Sequence, residues 1–275
     1  MNVAERAPSS DRVPAMGADQ STVFSIRSFG RVGSTNDELR ALAENGAAHG
    51  TVVCADEQMS GRGRQGRPWF SEPGNLYMSV LLRAARPIRH SAEVAFVAGL
   101  AVADAVDAGL RPPARARLKW PNDVQVDGAK IAGVLVELAD GNEAAIAVIV
   151  GIGVNVSHAP SGLPYPATCL RAHGDATVAG TREHVLAAVA ARWDQWLRDG
   201  FGAIRADWLR RGPSHGARLH VSQPDGTVDA TFAGLDADGA LLLQTACGVQ
   251  RHIAGDVVAL ARAGLWVATP GISRG

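Results

Sequence analysis

The chain is poor in cysteine and aromatics and carries no excess charge of either sign. Three cysteines, Cys54, Cys169 and Cys247, are scattered over 275 residues, with no CxxC and no Cys/His zinc spacing. That excludes a disulfide framework and leaves a reduced, cytoplasmic setting as the expectation. The eight histidines form no HExxH or HxH pattern, and nothing near His215 and His220 completes a metal set. No metal site is expected. Lys plus Arg and Asp plus Glu each total 27, which speaks against a general nucleic-acid binder, since such proteins show a basic excess. No apolar run reaches the length of about 18 residues that a membrane helix needs, and the first 21 residues lack an apolar signal core. Those residues, rich in Ala, Pro, Ser and charge, read as a disordered tail over 1–21. A repeat of 20 to 50 residues is also absent.

What is present is a core. Apolar residues make up 47% of the chain, enough for one large domain or a large and a small one. Residues 23–29 read as a strand. Residues 34–45 read as a helix ending at Gly46, with Thr35 as N-cap and Glu38 closing a capping box. Strands are expected at 51–55 and 76–82, and a long Ala/Val-rich helix at 91–108. Residues 124–126 and 130–138 flank Asp127-Gly128, a hairpin turn signal. An almost wholly apolar strand follows at 144–156. A helix is expected over 181–201, capped by Thr181, with Trp193, Trp196 and Leu197 on its apolar stripe. Mixed strands and helices with a hairpin point to an α+β fold with a mixed sheet.

Gly212-Pro213 punctuates the chain. Beyond it come short β segments at 218–221, 227–235, 240–244 and 257–261, with turns at Asp225-Gly226 and Asp238-Gly239. This texture suggests a small SH3-like β-barrel. The expected division is a catalytic domain over 22–212, a C-terminal domain over 214–265, and a tail over 266–275.

Four short segments could carry chemistry. Gly61-Arg62-Gly63-Arg64-Gln65-Gly66-Arg67-Pro68-Trp69 packs three glycines and three arginines into seven residues before a Pro-Trp pair. Glycines let backbone approach a ligand, and arginines offer rigid forks of donors to phosphate or carboxylate. The formal GxGxxG match is weak, because Pro68 and the residues after it do not open a helix. Lys119-Trp120-Pro121-Asn122-Asp123 sets a cation, an aromatic, an amide and a carboxylate ahead of the hairpin, though Pro-Asn-Asp is also ordinary turn chemistry. In Lys130-Ile-Ala-Gly133-Val-Leu-Val-Glu137 a mid-strand glycine marks a close approach of ligand or backbone. In Gly151-Ile-Gly153-Val-Asn155 the period of two puts Gly151, Gly153 and Asn155 on one face, a slot with an amide at its end; packing against a helix would use the same pattern.

Taken in order, with Ser34-Thr35-Asn36 and Gln58 ahead of them, these segments closely resemble those of bacterial biotin protein ligases over residues 24–260. The resemblance implies a class II synthetase-like, biotin/lipoate ligase fold. It implies that biotin and ATP form biotinyl-5′-AMP, and that biotin then passes to a lysine of the biotin carboxyl carrier domain of an acyl-CoA carboxylase. It assigns the biotin ring to Ser34, Thr35, Asn36, Gln58 and the backbone at Gly61 to Arg64. The valeryl chain falls to Gly133, Gly151 and Gly153, and its carboxyl to Lys130 at the junction with the phosphate. The nucleotide falls to Arg64, Arg67, Trp69, Asn122, Lys130 and Asn155, with Mg²⁺ arriving on ATP. Arg62, Arg64, Arg67 and Lys130 would offset like-charge repulsion between carboxylate and triphosphate, and Asp123 would receive the proton of the incoming amine or orient it. Gly63 would belong to the loop that orders over the adenylate. Only 22 residues precede the first expected strand, so a monofunctional ligase without specific DNA binding is expected, and no membrane association. Lipoate ligases, which share the fold, carry an Arg-Arg-x-x-Gly-Gly-Gly stretch that is absent here. A non-catalytic anion- or RNA-binding protein built on the Gly/Arg loop is the alternative from another class, and neutral net charge argues against it.

Overall fold

The computed structural model describes residues 10–14, 22–223, 226–253 and 256–259. Its larger part is an eight-stranded sheet made of β1 (Ser10–Pro14), β2 (Val23–Val32), β3 (Thr51–Gln58), β4 (Leu76–Ala84), β5 (Arg117–Lys119), β6 (Asp123–Val126), β7 (Ala129–Gly141) and β8 (Ile146–Val154). The spatial order is β1-β2-β3-β4-β8-β7-β6-β5. Only β2 and β3 run parallel; the other neighbours are antiparallel. The sheet is therefore mixed, as the interleaved strands and helices implied. Helix α1 (Thr35–Glu44) connects the parallel pair, as a crossover requires.

Strand β8 shows how sequence sets the two faces. Val148, Val150, Ile152 and Val154 point into the main core. The alternate residues Ala147 and Ile149 pack with Leu39 of α1, and Gly151 and Gly153 continue that same face. Helix α2 (Val94–Gly109) is apolar on nearly every side because it is sandwiched between the sheet and two further helices. Those helices, α3 (Val178–Asp199) and α4 (Phe201–Arg211), bring Trp193, Trp196 and Trp208 into the core. Arg192 and Arg211 bind Asp104 and Asp107 of α2 and tie the three helices together.

The second sheet is antiparallel and five-stranded: β9 (Arg218–Gln223), β10 (Gly226–Leu235), β11 (Leu241–Thr245), β12 (Gly248–His252) and β13 (Asp256–Ala259), in the order β12-β11-β10-β9-β13. Trp120 joins it to the first sheet by donating from Nε1 to the Gly239 carbonyl at 3.2 Å.

Several local expectations need correction. Ser34, not Thr35, is the N-cap of α1, and its own side chain makes no capping bond; the side chain of Gln58 instead accepts from the Thr35 amide and lies 3.0 Å from its hydroxyl. The cap of α3 is Thr177, which accepts from the Gly180 amide; Thr181 lies inside the helix and donates back to the Thr177 carbonyl. The helix expected over 181–201 is α3, which starts at Val178 and stops before Gly200, whose φ is 75°; α4 beyond it was given no helix by sequence. Leu197 is 39% exposed rather than on the buried stripe. Residues 10–14 of the expected tail pair with β2, since an edge strand offers a row of unpaired backbone groups. Strand β12 falls in a segment given no strand by sequence. The tail over 266–275, the rest of 1–21, Asp225 of the expected turn and the end of the last strand at Ala261 lie outside the described residues.

Candidate active site

The residues singled out by sequence gather on the α1 side of the sheet, along Gly151 and Gly153. Strand register places Gly153 opposite Gly133 and Tyr77, and Gly151 opposite Leu135 and Ser79. The two bare positions do not stand open. A Cβ on Gly151 would meet Asn36 Oδ1 at 2.3 Å, and one on Gly153 would meet Trp69 Cε2 at 2.5 Å. Gly133 is covered too, less tightly, with Trp69 Cζ3 at 2.9 Å. The expected slot for an acyl chain is thus a platform on which Asn36 and the Trp69 indole lie. Trp69 sits here against backbone and Lys130, whose Nζ is 5.2 Å from the ring centroid.

The end over Gly151 is uncharged and polar. Gln58 Oε1 accepts from the Thr35 amide at 2.9 Å and from its hydroxyl at 3.0 Å. Gln58 Nε2 donates to Ser71 Oγ at 2.9 Å, and Ser71 donates to the Trp69 carbonyl. Ser79 Oγ lies 2.8 Å from Thr35 Oγ1 and 2.6 Å from Asn36 Oδ1. Ser34, Thr35, Asn36 and Ser79 are all buried. Ser79 escaped the sequence analysis because a lone serine in an apolar strand carries no local signal.

The other end is cationic. Lys130 Nζ is 2.7 Å from Asp123 Oδ1, and Lys119 Nζ is 3.8 Å from Oδ2. Burial pushes the Asp123 carboxyl up, but Lys130 and then Lys119 outweigh it and hold its pKa below the usual carboxylate range. Beside Lys130 lies a depression lined by Trp69, Asn155, Pro160, Leu163, Tyr165 and Ala167. Tyr165 places its ring 5.7 Å from Lys130 Nζ. This segment was missed by sequence because its Pro and Gly content reads as plain loop. It is sewn in place: the Lys130 amide donates to the Pro166 carbonyl and the Thr168 amide to the Lys130 carbonyl, both at 2.9 Å. Asn155 donates to the Thr168 carbonyl at 3.0 Å, and Asn75 accepts from the amides of Val156 and Ser157. The side-chain amides of Asn155 and Asn122 therefore already serve backbone, the latter donating to the Val134 carbonyl at 2.6 Å.

The Gly/Arg loop forms a small closed hairpin. Gly63 donates to the Arg67 carbonyl at 2.7 Å and Trp69 to the Gly61 carbonyl at 2.8 Å. Gln65 and Gly66 adopt φ of 57° and 69° at its tip. No α-helix follows the loop directly, so the GxGxxG match is not a dinucleotide fingerprint. Arg67 is exposed and donates from Nε to the Arg64 carbonyl. Arg62 is not poised alone for an anion. Its guanidinium grips Asp37 with two bonds of 2.7 Å and reaches Glu137 at 3.1 Å. Neither carboxylate was given a role by sequence. Among the described residues, no three His, Cys, Asp or Glu groups converge to hold a metal ion, and no helix is long and apolar enough to cross a membrane.

Residues 29–155 match the biotin/lipoate A/B protein ligase family, and residues 216–259 the biotin protein ligase C terminal domain. The biotin–[acetyl-CoA-carboxylase] ligase of Paracoccus denitrificans is 37% identical over 227 residues, covering 80% of this chain and 94% of that protein. The chain belongs to the biotin/lipoate A/B protein ligase family. Within that family, the bifunctional ligase/repressor of Bacillus subtilis is 32% identical over 233 residues, covering 82% of this chain and 70% of the relative. A solved biotin protein ligase from Aquifex aeolicus, in complex with biotin and ATP, superposes with a TM-score of 0.71 at 28% identity, over 84% of this chain and 97% of that one. The mixed sheet followed by an antiparallel C-terminal sheet is thus the biotin/lipoate ligase fold that the motifs implied.

Proposed function

We propose that the chain is a biotin–[acetyl-CoA-carboxylase] ligase: it activates biotin with ATP to biotinyl-5′-AMP and transfers biotin to a carrier-domain lysine. The observation that carries this reading is the polarity of the platform. Thr35, Asn36, Gln58 and Ser79 form an uncharged hydrogen-bonding end, and Lys130 forms a cationic end beside Gly133. A ligand with a neutral ureido ring and a carboxylate tail matches both. The names of the relatives support the same substrate and product.

In this reading the ring takes hydrogen bonds at Thr35, Asn36, Gln58 and Ser79, with Ser34 and the backbone at Gly61 beside them, and the acyl chain runs over Gly151, Gly153 and Gly133. For that chain to lie between strand and indole, Trp69 must lift and then cover it. The carboxylate reaches Lys130, whose charge, with Arg64 and Arg67, offsets the repulsion between carboxylate and triphosphate. The carboxylate oxygen attacks the α-phosphorus, and pyrophosphate leaves. The nucleotide fits the depression by Tyr165 and Asn155, next to Trp69 and Asn122. Mg²⁺ enters as the ATP complex: the acceptors near the depression are few, and Asp123 is engaged by Lys130. In the second step the carrier lysine amine attacks the mixed anhydride carbonyl and AMP departs. Asp123, kept ionised, orients Lys130 and the incoming amine and receives its proton or passes it to solvent. Residues 22–212 form the catalytic unit and 214–265 the C-terminal unit. Three free cysteines support a reduced, cytoplasmic setting.

Biotin-dependent ATP–pyrophosphate exchange tests the first step, and mass gain on a carrier-domain lysine tests the second. Exchange with biotin and none with lipoate is expected. Exchange with lipoate alone, or with neither acid, would overturn the reading.

A further inference from the structure

Glu137 closes the motif that Lys130 opens, yet the reaction above gives it no work. It points to the α1 side of the sheet, opposite Ile149 and two residues beyond Leu135, the partner of Gly151. Its carboxylate collects donors from two separate parts of the chain. From α1, Asn36 Nδ2 donates to Oε2 at 2.9 Å and Arg40 Nη2 at 3.2 Å. From the Gly/Arg loop, Arg62 Nη2 donates to both oxygens, at 3.1 and 3.2 Å. Burial opposes its ionisation, but the Asn36 amide and the Arg62 guanidinium outweigh it and lower its pKa. The charges facing it are Arg40, Arg62 and, on the far edge of Arg62, Asp37.

Asn36 makes this more than a surface ion pair. Its other end, Oδ1, meets Ser79, which touches Thr35, which is bonded to Gln58. One run of hydrogen bonds goes from Gln58 through the Thr35 amide, and then by the Thr35 and Ser79 hydroxyls, one proton each, to Asn36, Glu137 and Arg62. Gln58 stands just before the loop and Arg62 just inside it, so the run fastens the loop to the uncharged end of the platform. A ligand seated on Asn36, Thr35 and Gln58 restrains the same groups that hold Arg62.

We infer that Glu137 is a positioning residue that couples recognition of the ring to the seating of loop 61–69, acting through Asn36 and Arg62. This rests on the biotin ligase reading. Ring occupancy then favours the held-down loop by its differential interaction with that state, and retains the adenylate.

Glu137→Gln keeps an acceptor for Asn36 but replaces one carboxylate oxygen with an amide that repels Arg62. Bound biotinyl-adenylate should leave this variant about tenfold faster, as loss of a charged hydrogen bond implies. KM for biotin should rise while kcat of pyrophosphate exchange changes little. If the effect runs through Arg62, Arg62→Ala and the double variant should release adenylate at the same rate. A second measurement needs no ligand: trypsin should cut free Glu137→Gln after Arg64 faster than wild type, at an unchanged melting midpoint. Should wild type form no adenylate, the ligase reading fails and the proteolysis decides whether Glu137 seats the loop. Wild-type release and cleavage rates in Glu137→Gln, or additive effects in the double variant, would overturn the inference.

Discussion

The indole of Trp69 lies where the side chain of residue 153 would stand: a Cβ on Gly153 would come within 2.5 to 2.6 Å of three of its ring atoms. The glycine is therefore required to seat the ring, and in the proposed ligase reading also to let an acyl chain pass beneath it when the ring lifts.

Gly153→Ala tests this. The methyl must displace Trp69, at a cost of roughly 1–3 kcal/mol for an overpacked site. KM for biotin should rise well above that of Gly133→Ala, whose nearest indole contact is looser at 2.9 Å. Pyrophosphate exchange and thermal melts of both variants read the difference. Equal effects would show that the ring is not the obstacle.

Lys130→Met should lower adenylate formation by about 10²–10³-fold, the range for loss of one charge-stabilising donor. It should also change the pH dependence of folding. Asp123 has a lower pKa folded than unfolded, so it favours the folded state above its unfolded value, about 3.9. That gain is lost as pH falls through the folded value. Without Lys130, burial is opposed only by Lys119 and Arg67, and the folded pKa rises. The acid loss of stability then starts at higher pH, and neutral stability falls by roughly 3 kcal/mol or less, Lys119 remaining nearby. Urea midpoints between pH 7 and pH 3 would show the shift.

Arg64→Gly removes a cation from the hairpin loop without touching Lys130. Adenylate should still form in part but escape about tenfold faster. Free biotinyl-adenylate in the supernatant, measured against enzyme-bound product, checks this. A variant that neither forms nor releases adenylate would show that Arg64 does not act by retaining the adenylate.

Trp120→Phe keeps a buried ring but removes the donor to Gly239. The loss should be about 1 kcal/mol, read as a lower melting midpoint. Gly239→Ala should do more harm, because φ is 89° there and a Cβ would meet Phe96 Cε2 at 2.6 Å. If exchange activity falls with the midpoint, the second sheet supports the Lys119–Asp123 motif through this contact.

The legible features were local. The Asp127-Gly128 turn has φ of 49° and 80°, the left-handed pair that its sequence announces. Gly151 and Gly153 share a face because strand side chains alternate. The capping expectation at Thr35 failed because a local rule met a distant partner: Thr35 bonds Gln58, 23 residues away. Ser79 and the segment over 157–168 gave no local signal, because a lone serine and a Pro/Gly-rich loop acquire meaning only from what faces them.

By itself the sequence determined the order of the motifs, the hairpin, the bare face of β8 and the family, since backbone sterics and period-two alternation act over a few residues. Tertiary structure alone decided that Asn36 and Trp69 cover the glycines, that Asp37 and Glu137 hold Arg62, and that residues 10–14 extend the sheet. The Asn36–Glu137 bond spans 101 residues of sequence. Only the strand order, which sets β8 beside both β4 and β7, brings such partners within reach.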